Sequence, residues 1–464
     1  MTDRKRYFFC GIGGSGMLPL AMILSARGAE VSGSDRALDQ GHTPEKFGWL
    51  RAQGVGLFAQ DGSGLNSKDQ VLVASAAVEE TVADVKAARA LGCVRRTRAH
   101  VLAELFNEAP MSVGVAGTSG KSTTTAMLSW ILDQAGYGPT VMNGAVMKNF
   151  VSAETPFASA LAGSPTGPFV SEIDESDGSI DLFSPQVAVL TNVSVDHKSM
   201  DELRALFGAY LGRANAAVVN ADDVETASLS GAGSAQFDFS LRQGQAFLSA
   251  GPMSPAPFSI AFEAHWQDQS VDVRLPVPGR HNVANALAAM CAAHAIGIPI
   301  ANSADALASF KGLKRRFEYV GEAAGVTVID DFAHNPDKIA ATLSTLRDAP
   351  GRLLVLFQPH GFGPLRKMRH ELAASFAAHL TSDDRIWMPE PVYYGGTVDR
   401  SVSSADLVGD LQKAGIIAAA LPKREACGEA LLTEARPGDR IVIMGARDDT
   451  LSIFAESLVS RLAG

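Results

Sequence analysis

Short apolar runs recur along this chain, separated by longer stretches in which apolar positions return every three or four residues. Such runs fill the interior of a parallel sheet, and the longer stretches read as helices that cover it. Tyr7-Phe8-Phe9-Cys10 is the first run, and a glycine turn then leads to a helix over 17–26 and a second strand ending at Ser34-Asp35. Val71-Leu72-Val73-Ala74 and a helix over about 79–91 continue the alternation to residue 106. Val113-Gly114-Val115-Ala116 opens a second series, with helical spacing at Met127, Leu128, Ile131 and Leu132 and further strands at 169–172, 187–192 and 218–220. Between 237 and 275 short alternations such as Ser259-Ile260-Ala261-Phe262 read as antiparallel strands, until Pro276-Val277-Pro278-Gly279 ends them and an Ala-rich helix begins. Beyond 313, strands at 326–329, 353–357, 385–388 and 440–444 alternate with helical segments such as 366–380 and 404–414, which predicts a mostly parallel sheet. The fold class is α/β in three domains: 1–107 Rossmann-like, 108–312 around a phosphate loop, and 313–464 again Rossmann-like.

Composition narrows the function. The 464 residues suit about three domains, and 46% hydrophobic against 19% charged residues supply ample core. A net charge of −10 argues against nucleic acid or an anionic membrane as partner. Cys10, Cys93, Cys291 and Cys427 are far apart, without metal-type spacing, and fit reduced thiols in a cytoplasmic enzyme. Arg4-Lys5-Arg6 before an apolar run resembles a secretion signal, but the run is too short and meets glycines at once. No apolar stretch is long enough to span a membrane.

Two glycine motifs carry the candidate chemistry. Gly117-Thr118-Ser119-Gly120-Lys121-Ser122-Thr123 stands between an apolar strand and a helix. Glycines there let backbone N–H groups turn inward onto phosphate, Lys121 would lie along the β- and γ-phosphates, and the Ser122 hydroxyl would reach Mg²⁺. Val115 stands where the strict motif has its first glycine, so this is a shortened variant. Gly11-Ile12-Gly13-Gly14-Ser15-Gly16 fits a diphosphate-binding turn, with Asp35 placed as a ribose-binding acid. By itself that motif makes a nicotinamide dehydrogenase a reasonable reading. Glu172 and His197 both follow apolar strands and are candidates for a Mg²⁺ shell. Taken singly, Glu172 has the alternative of a solvated turn acid, and for His197 a helix-capping or core histidine is the favoured reading. Asn282 and Asn285 share a face at the start of the Ala-rich helix, either for hydrogen bonding to a ligand or as a cap and a surface amide.

Taken in order, these segments resemble the Mur ligase family, the ATP-dependent amide-forming enzymes of peptidoglycan synthesis. The resemblance spans essentially the whole chain. It rests on Gly11 to Met17, Ser32-Gly33-Ser34-Asp35, the phosphate loop, Asp174-Glu175-Ser176-Asp177 and Asp196-His197. It continues through Gly279-Arg280-His281-Asn282, Arg315-Arg316-Phe317, Asp330-Asp331 and Phe357-Gln358-Pro359-His360. It is nearest the L-alanine-adding and murein-peptide-adding branches. It implies that Gly11, Ile12, Gly13, Gly14, Ser15, Gly16, Met17, Ser34 and Asp35 hold the UDP of a UDP-N-acetylmuramate-type substrate rather than NAD. It further implies that residues 117–123 with Asn282, Asn285, Arg316 and Asp331 bind ATP, and that Ser122, Glu172 and His197 surround Mg²⁺. Lys121, Glu172 and His197 would then serve catalysis, joining the muramoyl carboxylate to an amino acid or peptide amine through an acyl phosphate, in a monomer or homodimer. Four places depart from the family pattern. Gly361-Phe362-Gly363-Pro364 lacks the arginines that hold the amino-acid carboxylate, Asn335 replaces a histidine, Gln60-Asp61 replaces Gly-His, and Lys198-Ser199 follows His197. The first implies poor use of L-alanine, and an amine that lacks an adjacent carboxylate or keeps it farther away, as in a peptide, unless Arg366, Lys367 or Arg369 substitutes.

Overall fold

The apolar run at 7–10 becomes the middle of a sheet, with Phe8 and Phe9 fully buried. The computed structural model describes residues 4–75, 78–175, 178–194, 198–231, 235–392 and 399–464. In it β1 (Arg6–Cys10), β2 (Glu30–Ser34), β3 (Gly56–Phe58), β4 (Gln70–Ala74) and β5 (Arg95–Thr97) form a parallel sheet in the order β3-β2-β1-β4-β5. The helix Met17–Ala26 occupies the predicted residues and carries no charged side chain. It is apolar on nearly every side because it touches both β2 and strands of a second sheet.

That second sheet contains β6 (Ser112–Ala116), β7 (Thr140–Met142), β8 (Ala160–Leu161), β9 (Phe169–Glu172), β10 (Val187–Leu190), β11 (Ala216–Asn220) and β12 (Ala235–Ser240). Their order is β12-β11-β10-β6-β9-β7-β8, parallel except for β8. The reading of 237–240 as antiparallel is corrected here. β12 follows a crossover through the short helix Val224–Ser228 and so pairs parallel to β11. The meander begins only at β13 (Leu248–Ala256) and runs through β14 (Ser259–Trp266) to β15 (Gln269–Leu275). The third sheet is β16 (Glu318–Ala323), β17 (Val326–Asp331), β18 (Leu353–Gln358), β19 (Arg385–Pro389), β20 (Ala418–Leu421) and β21 (Arg440–Gly445), in the order β16-β17-β21-β18-β19-β20. Only β16 is antiparallel.

By compactness the chain falls into two units. The first runs to Gly251 and adds Ala264–Val271 and Ala284–Leu307; the second is Pro252–Glu263, Asp272–Val283 and Ala308–Gly464. Within the first unit the two parallel sheets share a core. Phe106, on the helix Arg98–Asn107, meets Phe169 at 5.7 Å and Phe183 at 5.4 Å between ring centroids. A fully buried Phe contributes about 3–5 kcal/mol over Ala, so this joint fixes the two glycine loops against one another. The second unit packs Leu343, Leu372, Phe376 and Leu407 over one face of its sheet and Leu431, Leu451 and Leu458 over the other. Among the described residues no helix is long and apolar enough to cross a membrane.

Candidate active site

β6 delivers the phosphate loop, and its neighbour β10 braces it. Thr191 Oγ1 donates to the Ser119 carbonyl at 2.6 Å, and Asn192 both accepts from Ser119 N–H and donates to its carbonyl, each at 2.9 Å. The loop therefore keeps its curl without a ligand. Gly120 has φ +86° and lies so close to Asn285 that an added Cβ would sit 2.4 Å from Asn285 Oδ1. Only glycine fits that turn. The helix Lys121–Gln134 then starts with no side chain capping it, which leaves its first N–H groups for an anion. Asn285 is thereby placed against the loop, within reach of Thr124 Oγ1 at 3.3 Å. Its neighbour Asn282 donates to the Pro278 carbonyl at 2.6 Å and belongs to the second unit.

Lys121 is nearly enclosed. Its Nζ donates to the Gly117 carbonyl at 2.6 Å and to Glu175 Oε2 at 3.0 Å. Burial opposes its charge, but Glu175, Glu172 and Asp174 outweigh burial and hold its pKa above the ordinary value. Glu172, at the end of β9, accepts from Ser122 Oγ at 2.7 Å and from Gly144 N–H at 3.0 Å on the same oxygen. Asn143 Nδ2 ties the same corner to the Ser122 carbonyl at 3.1 Å. A hydroxyl and a carboxylate oxygen in contact suit a hard cation such as Mg²⁺, which takes few protein ligands and completes its shell with water and phosphate. Val195, Asp196 and His197 lie outside the described residues, as do Ser176 and Asp177. Thr191, Asn192 and Glu175 as braces of the loop were not singled out from sequence; the polar pair ending the apolar run at 187–190 was the available signal.

On the first sheet, Gly11 and Ile12 N–H groups bond the Ser34 carbonyl at 2.8 and 2.9 Å. Asp35 accepts from Gly13 N–H and Ala37 N–H, each at 2.8 Å, so its carboxylate holds the glycine turn as well as facing that side. Ile12 and Ser34 are fully buried, with the Ser34 hydroxyl bonded to Asp84. The Ile12 N–H and the Ser34 carbonyl are bonded to each other, so these two residues shape the turn. Gln60 turns back to Cys10 Sγ at 3.6 Å. A cleft of about 470 Å³ runs from Gly11, Gly14, Ser15, Gly16 and Met17 past Arg98 to Asn143, Gly144 and Glu172. Among the described residues lining it, Arg98 is the cation. Arg98 stands against Gly16, where an added Cβ would lie 3.0 Å from its Cδ. Sequence reading passed over it.

In the second unit Arg315 fastens the turn before β16, donating to the Gly445 and Asp448 carbonyls at 2.7 and 3.0 Å. Arg316 lies over the Phe332 ring at 4.4 Å. Asp331 accepts from Thr342 Oγ1 at 2.6 Å and Ala333 N–H at 3.1 Å, and burial raises its pKa against those bonds. The stretch 361–364 opens the helix Phe362–His379, four residues before the predicted start at 366, with Pro364 in its first turn, where no N–H is required. Arg366 pairs with Asp399, and Arg369 with Asp410 at 2.6 Å, so two of the three expected substitutes are already engaged by acids. His334 and His360 stack edge to face at 5.0 Å.

Burial pushes His334 down to about 3, helped by Lys338, and His360 down to about 4, helped by Arg447. Both stay neutral in the folded protein, whereas the unfolded chain protonates them near about 6.5. Their contribution is complete above about pH 6.5 and declines as pH falls toward about 4, because only the unfolded state takes up protons there. The loss amounts to roughly 1–3 kcal/mol per histidine. Urea midpoints at about pH 7.5 and about pH 5 measure it, and His334→Gln with His360→Gln should flatten the slope.

The comparisons with known proteins agree along the whole chain. Residues 6–109 match the Mur ligase family catalytic domain, 115–293 the Mur ligase middle domain, and 315–447 the Mur ligase glutamate ligase domain. A UDP-N-acetylmuramate–L-alanine ligase of Cereibacter sphaeroides is 34% identical over 98% of this chain and 96% of its own length. That of Paracoccus denitrificans is 35% identical with the same coverage. Among solved structures, the UDP-N-acetylmuramate–alanine ligase of Thermotoga maritima superposes with a TM-score of 0.79 at 25% identity, covering 98% of both chains. A murein peptide ligase of Psychrobacter arcticus shares the fold, with a TM-score of 0.71 at 24% identity and 99% of both chains covered. With three consecutive domain matches and relatives of this identity over nearly its full length, the chain belongs to the Mur ligase family.

Proposed function

We propose that this chain uses ATP to join the carboxylate of UDP-N-acetylmuramate to L-alanine, releasing ADP and phosphate in the cytoplasm. The observation that carries the reading is the cleft leading from the glycine turn to Glu172, beside Lys121 and Ser122. One end offers Arg98 and the glycine turn at Ser15 and Gly16 to a diphosphate. The other places an acid acceptor at the metal and phosphate corner. A sugar nucleotide bearing a carboxylate has its charges at two such separated points.

In this reading residues 117–123 cradle the triphosphate, with Asn285 behind the loop, and Asn282, Arg316 and Asp331 are assigned to the nucleotide by the family pattern. The boundaries 1–107, 108–312 and 313–464 separate the sugar-nucleotide, ATP and amine tasks. A substrate carboxylate and a triphosphate repel each other, so Lys121 must screen both as the carboxylate oxygen bonds to the γ-phosphorus and ADP departs. Mg²⁺ held by Ser122 and Glu172, with His197, would add charge neutralisation at the phosphoryl oxygens. The amine then attacks the acyl carbon, phosphate leaves with the former carboxylate oxygen, and the amine loses a proton. Closure around the acyl phosphate keeps water from competing with the amine.

A peptide amine is the second reading, favoured by the absence of an arginine in 361–364 and by the engagement of Arg366 and Arg369. Product mass after incubation with ATP, UDP-N-acetylmuramate and either L-alanine or a murein-type peptide separates the two. Arg98→Ala tests the cleft itself. The KM for UDP-N-acetylmuramate should rise roughly tenfold or more, while that for ATP stays put. An unchanged sugar-nucleotide KM would remove Arg98 from the diphosphate end.

A further inference from the structure

Three parallel strands of the second unit end side by side, β21 lying between β17 and β18. Met444 pairs with Asp331 and Gly445 with Gln358, so Arg447, His334 and His360 leave the sheet at one level. The two imidazoles meet across the end of β21, their centroids 5.0 Å apart. Arg447 itself has φ +65°, a left-handed conformation that glycine adopts freely and a side-chain-bearing residue does not.

The other described non-glycine residues with positive φ sit in tight connections: Thr43 just before the helix Pro44–Ala52, Gln267 and Ala324 in hairpin turns, Arg315 and Phe317 in the turn that enters the third sheet. Arg447 is instead at the C-terminal end of a central parallel strand, the edge at which α/β folds place ligand groups. Its turn is held from the next residue. Asp448 accepts from Gln358 Nε2 at 2.8 Å, Arg424 at 3.0 Å and Thr450 N–H at 3.0 Å. The guanidinium is exposed, and among the described residues no carboxylate pairs with it. Three other arginines are engaged elsewhere, Arg366 by Asp399, Arg369 by Asp410, and Arg400 over the Phe362 ring at 5.4 Å, while Lys338 stands near the same two histidines. The helix Phe362–His379 begins beside His360 without a side-chain cap, adding unpaired N–H groups to the same edge. Burial depresses the His360 pKa most, and the charges of Arg447 and Lys338 add to that depression, which places both cations near this edge.

We propose that Arg447 is the anchor for the α-carboxylate of the incoming amino acid, with the stacked His334–His360 pair walling the subsite beside it. The inference rests on the ligase reading above and narrows it to an amine with an adjacent carboxylate, replacing the expectation of an amine whose carboxylate is absent or farther away. A planar guanidinium meets a carboxylate with two parallel N–H bonds, a geometry that an ammonium does not reproduce. Holding the carboxylate also leaves the amino group free to attack. A tolerated left-handed arginine is then a strained side chain kept for a task.

The test compares kcat/KM for L-alanine with that for L-alaninamide, the same amine without the carboxylate, at saturating ATP and UDP-N-acetylmuramate. In Arg447→Gly the preference for L-alanine over L-alaninamide should fall by roughly 30-fold or more, carried by the KM for L-alanine. The melting temperature should hold or rise, since glycine relieves the left-handed strain. Arg447→Lys should recover part of the preference. An unchanged preference in Arg447→Gly, or a loss produced by Arg400→Ala instead, overturns the assignment. Wild-type enzyme that makes no L-alanine adduct at all overturns the amino-acid reading itself and this anchor with it, so the two failures are distinct.

Discussion

Lys121→Ala should lower ligation turnover by roughly 10²- to 10³-fold or more, the scale seen when one fixed donor to developing charge is removed. The ammonium is held between the Gly117 carbonyl and Glu175 in a nearly closed pocket, where its charge is little screened by water. That enclosure adds a structural effect. Removing the lysine leaves Glu175 buried without its partner, so the variant should also melt earlier. Lys121→Ala with Glu175→Gln separates the two roles: thermal stability returns and turnover does not. Turnover within about tenfold of wild type in the single variant would contradict the phosphate-loop assignment, because a lone donor there is expected to contribute more than that.

Glu172→Gln should raise the Mg²⁺ concentration needed for half-maximal activity by roughly 10- to 100-fold. Glutamine keeps the size and an oxygen acceptor for Ser122 Oγ and Gly144 N–H, both of which point at Glu172 Oε2, so the corner retains its shape while losing its charge. Excess Mg²⁺ should restore part of the rate. A Mg²⁺ titration indistinguishable from wild type would leave Glu172 only the role of bracing Gly144. Ser122→Ala should show the smaller shift of a neutral ligand. His197→Ala belongs in the same series, since its part in the shell is a proposal drawn from the family pattern.

Much of the fold was legible because local pattern and burial agree. The helix Met17–Ala26 and the strand Phe169–Glu172 have the bounds that their apolar runs indicate. Errors arose where tertiary context decided. The strand Ala235–Ser240 alternates like an edge strand yet joins a parallel ladder, because the chain reaches it by a crossover. Gly361-Phe362-Gly363-Pro364 has loop composition yet opens a helix, since the first turn tolerates proline.

The site divides in the same way. The glycines, Lys121, Ser122 and Glu172 were readable because phosphate chemistry demands those residue types at that spacing. Alone, though, the first glycine turn reads equally as a dehydrogenase. Arg98 was not readable: it meets Gly16 only because the helix Arg98–Asn107 packs between two sheets. Nor was Arg447, whose left-handed backbone is a property of the folded strand end and leaves no mark in composition or period.

The central claim is that the sugar-nucleotide carboxylate is activated by transfer of a phosphoryl group to its own oxygen. UDP-N-acetylmuramate labelled with ¹⁸O in the carboxylate tests this most directly, with the inorganic phosphate analysed by mass after one round of ligation to L-alanine. The account predicts one ¹⁸O atom in each phosphate released and a matching loss from the amide product. Phosphate free of label, formed alongside the amide, would contradict it.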